Sequence, residues 1–274
     1  MSHRRLSILA TSFAFLAALL AALGSGAALA AVEIAPHRAI YQMSLKSARN
    51  SSKVADVRGR MMFEWADACD GWTIEQRFQL RFLYSEGEDM EMTTNFATWE
   101  AKDGLSYRFN VRKTVNGELD EEVKGEAHLN GPGKGGVARY IRPEEQEMTL
   151  PAGVLFPTAH TIELIERAKA GEKFLARIVF DGSDAEGSTE ISAAVGLPTE
   201  AKAEMRNRSP LLKDQGWPVR MAFFPLNSSS AQPEYEMGLL LLKNGVAETM
   251  SIDYGDFIVD AVLESVEPLP RSGC

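Results

Sequence analysis

The side chains that could carry out acid–base or metal chemistry are few and widely spaced in the sequence. After residue 30 the histidines are His37, His128 and His160, and no cysteine, aspartate or glutamate lies beside two of them at a metal-ligand spacing. The sequence therefore predicts no metal site and no cofactor. We interpret His37 and His160 as packing residues that hydrogen-bond to neighbouring groups, and not as catalytic residues.

Motifs for nucleophilic catalysis are also missing from the sequence. There is no G-x-S-x-G elbow and no S-x-x-K motif. The acidic clusters at residues 86–89 and at Glu144-Glu145 could act as paired carboxylates on a glycoside, but charged runs at strand ends are usually solvated turns. We therefore predict a protein that is not an enzyme. A hydrolase of cell wall or glycan is the remaining enzymatic alternative.

The first thirty residues have the pattern of an export signal. Arg4 and Arg5 precede an apolar run over residues 6–23, and small residues lead to Ala30. We predict cleavage after Ala30, a single mature domain over residues 31–274, and a periplasmic location. The alternative is an uncleaved membrane anchor, for which the run is short. The arginine pair resembles a twin-arginine signal, but the general secretion route is favoured.

The charge of the chain limits the classes of partner. The formal net charge is −9, and cleavage would remove two arginines and no acid, so the mature chain is more acidic still. Such a charge disfavours nucleic acid and anionic lipid surfaces as partners. The residue immediately after the predicted cleavage site is Ala31 and not a lipid-accepting cysteine, and no second apolar run has spanning length, so we predict no stable membrane anchor. We expect a soluble monomer.

Two cysteines, Cys69 and Cys274, lie in a chain that the predicted signal sends to an oxidising compartment. This context favours a structural disulfide between them. The alternative is two independent free thiols. A redox-active pair is disfavoured, because such sites generally contain a second thiol nearby in sequence.

Most of the mature sequence alternates between apolar and polar residues. The clearest segment is residues 72–84, where Trp72, Ile74, Phe78 and Leu80 share one face. Six Asx-Gly pairs favour tight hairpins between such segments; they are Asp70-Gly71, Asp103-Gly104, Asn116-Gly117, Asn130-Gly131, Asp181-Gly182 and Asn244-Gly245. The pattern predicts an antiparallel meander of roughly a dozen strands.

One strong helix is predicted in the middle of the chain, over about Thr158–Ala170. Thr158 after Pro157 is the expected N-cap, and Gly171 is the expected left-handed stop. Ile162, Ile165 and Ala168 recur every three residues with Leu164 beside them, which makes an apolar stripe. A sheet of this size normally curls or closes, so we predict a mainly β fold, a spiral or incompletely closed barrel, with the helix packed on its concave side.

A set of short motifs resembles a known family over nearly the entire mature chain. The motifs are APHRAIY (35–41), CDGW (69–72), LPAGVLFPTAHTIELI (150–165), FDGS (180–183), KNGV (243–246), DYGDF (253–257) and the terminal cysteine. In this order and spacing they are similar to the EipB-type cell envelope integrity proteins, a periplasmic family first described as a domain of unknown function. The resemblance implies a β-spiral with an internal disulfide at the positions matched by Cys69 and Cys274.

The resemblance also implies a role in maintaining the envelope under stress and a functional link to a periplasmic tetratricopeptide-repeat protein. It carries over no catalytic residue. We therefore expect a non-enzymatic periplasmic protein that binds another envelope protein. The alternative is a carrier or chaperone that holds a lipoprotein acyl chain or a lipid inside the curved sheet.

Overall fold

The computed structural model describes residues 32–274, so the predicted export signal lies outside the described residues. Fifteen strands form one sheet, more than the predicted dozen. They are β1 (His37–Ala48), β2 (Val54–Asp67), β3 (Gly71–Tyr84), β4 (Met90–Ala101), β5 (Ser106–Val115), β6 (Glu118–Leu129), β7 (Gly136–Arg142), β8 (Gln146–Leu150), β9 (Phe174–Val179), β10 (Thr189–Val195), β11 (Thr199–Glu200), β12 (Gln215–Pro225), β13 (Tyr235–Leu242), β14 (Ala247–Asp253) and β15 (Phe257–Pro268).

The sheet is an antiparallel meander, as predicted. The strand order is β8-β7-β6-β5-β4-β3-β2-β1-β15-β14-β13-β12-β10-β9, with β11 paired to β12 off this path. Most sequence neighbours are therefore sheet neighbours. The exceptions are β8 and β9, which are the two edges, and β10, which pairs with β12 and not with β11. Strands β1 and β15 join the two halves of the chain, with Tyr41 opposite Leu263. Each of the six Asx-Gly pairs lies at a connection between antiparallel neighbours.

The predicted fold class is confirmed: the sheet is curled and not closed into a barrel. Its two edge strands are β8 and β9. Leu155, just after β8, forms an isolated parallel bridge with Val179 at the end of β9. The seam of the spiral is therefore spanned at one point by the segment that leads into the main helix.

The main helix, α1, spans Pro157–Lys169 and buries Leu164, Ile165 and Ala168, residues of the predicted apolar stripe. The predicted N-cap at Thr158 is wrong, because the helix begins one residue earlier with Pro157 at its first position and Phe156 as N-cap. Proline suits this position, where its φ is already helical and its missing N–H is not needed. Gly171 has a φ of 84° and ends the helix as predicted.

A second set of short elements, which the sequence pattern did not predict, lies between β11 and β12. It contains helix α2 (Ala203–Arg206) and a 3-10 helix (Pro210–Leu212); another 3-10 helix (Asn50–Ser52) links β1 and β2. Met205 and Leu212 from this segment are buried in the same apolar cluster as Tyr41 of β1. The polar segment 199–214 is therefore part of the core.

Helix α1 and the segment 199–214 both lie at one end of the curled sheet, which we call the plugged end. Helix α1 packs there against Trp65 at the end of β2, Trp217 at the start of β12 and Leu241 at the end of β13. The segment 199–214 is held at the same end, because Asn244 in the β13–β14 turn donates to the Leu211 carbonyl at 2.8 Å. The opposite end, where β3 ends and β4 begins, we call the open end.

Candidate functional site: the two ends of the curled sheet

A buried carboxylate secures helix α1 at the plugged end. Glu100, on the inward face of β4, is 2 % exposed. Its two oxygens accept the Thr158 and Ala159 backbone N–H groups, each at 2.7 Å. Two of the unpaired N–H groups of the helix N-terminus are thus satisfied from a strand. Burial raises the pKa of Glu100 to about 7, although the hydrogen bonds from the helix N–H groups oppose this shift.

The predicted packing of His160 agrees with its surroundings, but the predicted hydrogen bond to a neighbouring group is not found at Nε2 within residues 32–274. The ring is 5 % exposed, and its Nε2 has no hydrogen-bond partner among the described residues. Burial lowers the pKa of His160 to about 4, so the ring is neutral at neutral pH. A neutral ring on the core side of α1 contributes packing and no charge.

The other two histidines lie on strands β1 and β6. His37 is buried on β1, bonds through Nδ1 to the Ala35 carbonyl at 2.7 Å and contacts the ring of Phe63. His128 is exposed on β6, 3.1 Å from the Ser106 hydroxyl. Within residues 32–274 no group of three His, Cys, Asp or Glu side chains could hold a metal ion.

The structure joins Cys69 and Cys274 in a disulfide with a Cα–Cα distance of 5.9 Å. Cys69 has a φ of 62° in the β2–β3 turn. In the next strand Gly71 is required by close packing, since a Cβ there would lie 2.3 Å from Trp99 Nε1. The bridge therefore attaches the end of the chain to a turn at the plugged end.

The open end presents partly exposed apolar side chains on the inward face of the sheet. Among residues 32–274 the only helical element at this end is the 3-10 helix Asn50–Ser52, which buries no residue. Methionine and aromatic residues dominate the inward positions here, and each is half-buried; they are Phe78, Tyr84, Met90, Met92, Tyr235, Met237, Met250 and Phe257. Such side chains form an apolar surface that can adapt to different ligands.

Aromatic contacts at the open end show how strongly the sheet curves. Phe82 of β3 and Phe257 of β15 are three strands apart, yet their ring centroids are 6.1 Å apart. Phe257 stacks on Tyr254 at 5.0 Å, and Tyr235 stacks on Phe223 of β12 at 4.2 Å. Aromatic side chains from β3, β12, β13 and β15 therefore contact one another across the inside of the curl, with Tyr254 between Tyr235 and Phe257.

The rim of the open end is acidic. Seven connections lie at this end, and five of them carry acidic residues and no basic residue: 85–89, 143–145, 180–188, 226–234 and 254–256. The connection 49–53 carries Arg49 and Lys53, and 116–117 carries no charge. The two acidic clusters weighed as glycosidase carboxylates, residues 86–89 and Glu144-Glu145, lie in these exposed turns. Burial raises the pKa of Glu234, and the negative charges of Asp184 and Glu186 raise it further. The rim therefore favours cations over anions.

Neither the burial of Glu100 nor the open end was predicted from the sequence, although the alternation pattern contains an indication of each. Glu100 is in phase with Thr98, Phe96 and Met92 on the inward face of β4, so its carboxylate has to be buried. The open-end methionines likewise occupy inward positions near strand ends. The alternation identifies such faces, but it does not show which end of the sheet the helix fills.

Within residues 32–274, no helix is long and apolar enough to cross a membrane.

Comparisons with known proteins agree with the family resemblance. The EipB-like family model matches residues 28–270. The chain is 36% identical over 241 residues to the cell envelope integrity protein EipB of Brucella abortus (strain 2308), an alignment that covers 85% of this chain and 84% of that protein. A crystal structure from Brucella abortus, described as a beta-barrel-like protein of a domain of unknown function, matches with a TM-score of 0.81 at 34% identity. That match covers 88% of this chain and 100% of the other.

Proposed function

The chain belongs to the EipB-like family, and on that premise we propose that it is a periplasmic protein that supports cell envelope integrity without catalysing a reaction. It does so by binding an apolar segment of another envelope protein at the open end. Its relative in Brucella abortus is named for envelope integrity and not for a reaction. Family membership supports the envelope-integrity part of this proposal.

The observation that carries the proposal is the combination of an apolar lining with an acidic rim. Met92, Met237 and Phe257 are only half-buried, so they retain surface that a ligand can cover. The rim residues Glu88 and Glu234 have no ion-pair partner among the described residues. We infer a ligand with an apolar centre and basic flanks.

The periplasmic location is supported by the export pattern of residues 1–30 and by the disulfide. Disulfides persist in oxidising compartments such as the bacterial periplasm. We propose as partner a periplasmic tetratricopeptide-repeat protein, which the family resemblance implies. Proteins built from such repeats have extended concave surfaces that suit protein binding.

The second candidate is a carrier of a lipoprotein acyl chain. Thioether and aromatic groups around the open end would pack against an acyl chain as well as against an apolar peptide. The acidic rim disfavours an anionic lipid headgroup, however, so a lipidated protein suits the site better than an anionic phospholipid. Mass spectrometry of gently extracted protein distinguishes the candidates, because a reproducible bound lipid would support the carrier.

A complementation experiment tests the role of the open end in cells. A deletion strain should be sensitive to detergent, and the wild-type gene should restore growth. Met92→Glu should fail to restore growth, because it places a charge on the apolar lining. Thr93→Glu places the same charge on the other face of β4 and should restore growth.

Immunoblots must show similar amounts of both variants. A deletion strain with wild-type detergent resistance, or full rescue by Met92→Glu, would contradict the proposed function.

A further inference from the structure

Strand β9 pairs with β10 on one side and forms an edge of the sheet on the other. Half of that edge has no strand partner within residues 32–274. Val195 N–H donates to the Lys173 carbonyl at 2.8 Å across the β9–β10 pair. Bonded and non-bonded positions alternate in an antiparallel pair, so Leu175 and Arg177 direct their backbone groups toward β10. Phe174 and Ala176 direct theirs toward the free edge.

The same edge already binds one piece of chain in this way. Leu155 N–H donates to the Ile178 carbonyl at 2.9 Å, and Phe180 N–H donates to the Leu155 carbonyl at 3.0 Å. No strand within residues 32–274 pairs with the other half, around Phe174 and Ala176. The Ala176 carbonyl accepts from Arg177 Nη1 at 2.9 Å, a bond that an incoming backbone N–H could replace.

The side chains beside this half of the edge are apolar and unusually exposed. Phe174 is 79% exposed and Leu197, beyond the end of β10, is 76% exposed. A depression of about 340 Å³ adjoins Phe174 on the outer face, where Ala176, Ser192 and Ala194 leave room for larger side chains. Natural edge strands are usually protected by lysine, proline or a bulge, whereas the free-edge positions of β9 carry no charge and no proline.

We infer that the free half of β9 is a docking site for an extended segment of a partner protein, which adds as a further strand. Unpaired backbone donors and acceptors require an extended backbone as occupant, and strand addition is an established mode of peptide recognition. Alternate side chains of that segment would be apolar and would pack on Phe174 and the adjoining depression. This site lies at the plugged end and shares no residue with the open end. A negative result at one site would therefore not contradict the proposal for the other.

Ala176→Pro is the most direct test of strand addition at this edge. Proline removes the N–H that points to the free edge and retains the hydrogen bonds to β10, and edge strands tolerate proline at such positions. Ala176→Ser keeps the N–H and is the matched control. The probe is a phage library of random 12-residue peptides, selected on the purified domain, with the enriched peptides then synthesised for titration by fluorescence anisotropy.

We expect enriched peptides with apolar residues at alternate positions, and slower amide hydrogen exchange at Phe174 and Ala176 when they bind. Ala176→Pro should weaken binding by about tenfold or more, and Ala176→Ser by less than about twofold. If Ala176→Pro does not fold, Phe174→Arg replaces it and should weaken binding in the same way.

Three results of the peptide experiment would overturn the inference. They are no enriched peptide, exchange protection away from β9, or equal binding by the edge variant and its control. A wild-type dimer in sedimentation that Ala176→Pro abolishes would also overturn it, since a second copy would then occupy the edge.

Discussion

Glu100→Ala is expected to lower the free energy of unfolding by about 3 kcal/mol at pH 6. The substitution leaves the Thr158 and Ala159 N–H groups buried without acceptors. Each such donor costs about 1–3 kcal/mol. Removal of the desolvated carboxyl group, which is mostly protonated at this pH, offsets part of the sum. Urea denaturation followed by tryptophan fluorescence measures the change.

The matched control for this variant is Glu166→Ala. Glu166 is an exposed carboxylate on the same helix, so its removal should change the unfolding free energy by less than about 0.5 kcal/mol. Equal effects from the two substitutions would mean that Glu100 does not secure the helix.

The contribution of Glu100 to the free energy of unfolding should decrease as the pH rises. Burial raises the pKa of Glu100 from 4.5 to about 7, so the folded protein holds the proton more tightly than the unfolded chain does. Its contribution to stability is therefore fully present below pH 4.5 and is lost as pH rises through 7, a loss of about 3 kcal/mol. Relative to Glu100→Gln, which cannot titrate, wild type should lose this amount between pH 4 and pH 8. A pH-independent difference would contradict the assignment.

The second large effect is expected from the disulfide. The bond closes a loop with a sequence separation of 205, which the chain-entropy model values at up to about 5 kcal/mol. Cys69→Ser, Cys274→Ser and reduction of the wild type should each lower the denaturation midpoint. They should not abolish the fold, because other contacts hold the tail.

Those contacts lie close to the bridge. Ser272 Oγ accepts the Cys69 N–H at 3.1 Å, Arg271 pairs with Glu33 at 2.6 Å, and Leu269 N–H donates to the Pro36 carbonyl at 2.9 Å. The double variant Cys69→Ser/Cys274→Ser is the control, and a reducing agent should not change its stability. Identical melting of oxidised and reduced wild type would show that the bridge has no structural role.

Local patterns predicted most of the secondary structure. Period-two alternation identified β3, and the Asx-Gly pairs located the hairpins, because both depend on residues adjacent in sequence. The pairing of β1 with β15 could not be predicted in this way. It joins residues more than two hundred positions apart, and alternation specifies the faces of a strand but not its distant neighbour.

The candidate site was predictable only in part. The apolar stripe of α1 required a cover, but the sequence did not show that Glu100 would cap its N-terminus. The segment 199–214 has a polar composition. Its buried residues Ala201, Met205 and Leu212 lie in a loop and in two helices of three or four residues, which are too short to show a periodic pattern. Helix α1 and the segment 199–214 both occupy the plugged end and leave the other end open. No local sequence pattern could indicate which end this would be.

The central claim is that the open end binds an apolar segment with basic flanks, and direct titration tests it. Isothermal calorimetry would use a synthetic peptide with apolar residues at its centre and lysines at both ends, together with a twin that carries glutamates instead. We expect the lysine peptide to bind wild type, to bind more weakly at high salt and with Met92→Glu, and to bind better than the glutamate twin. Equal binding of the two peptides, or unchanged binding by Met92→Glu, would contradict the claim.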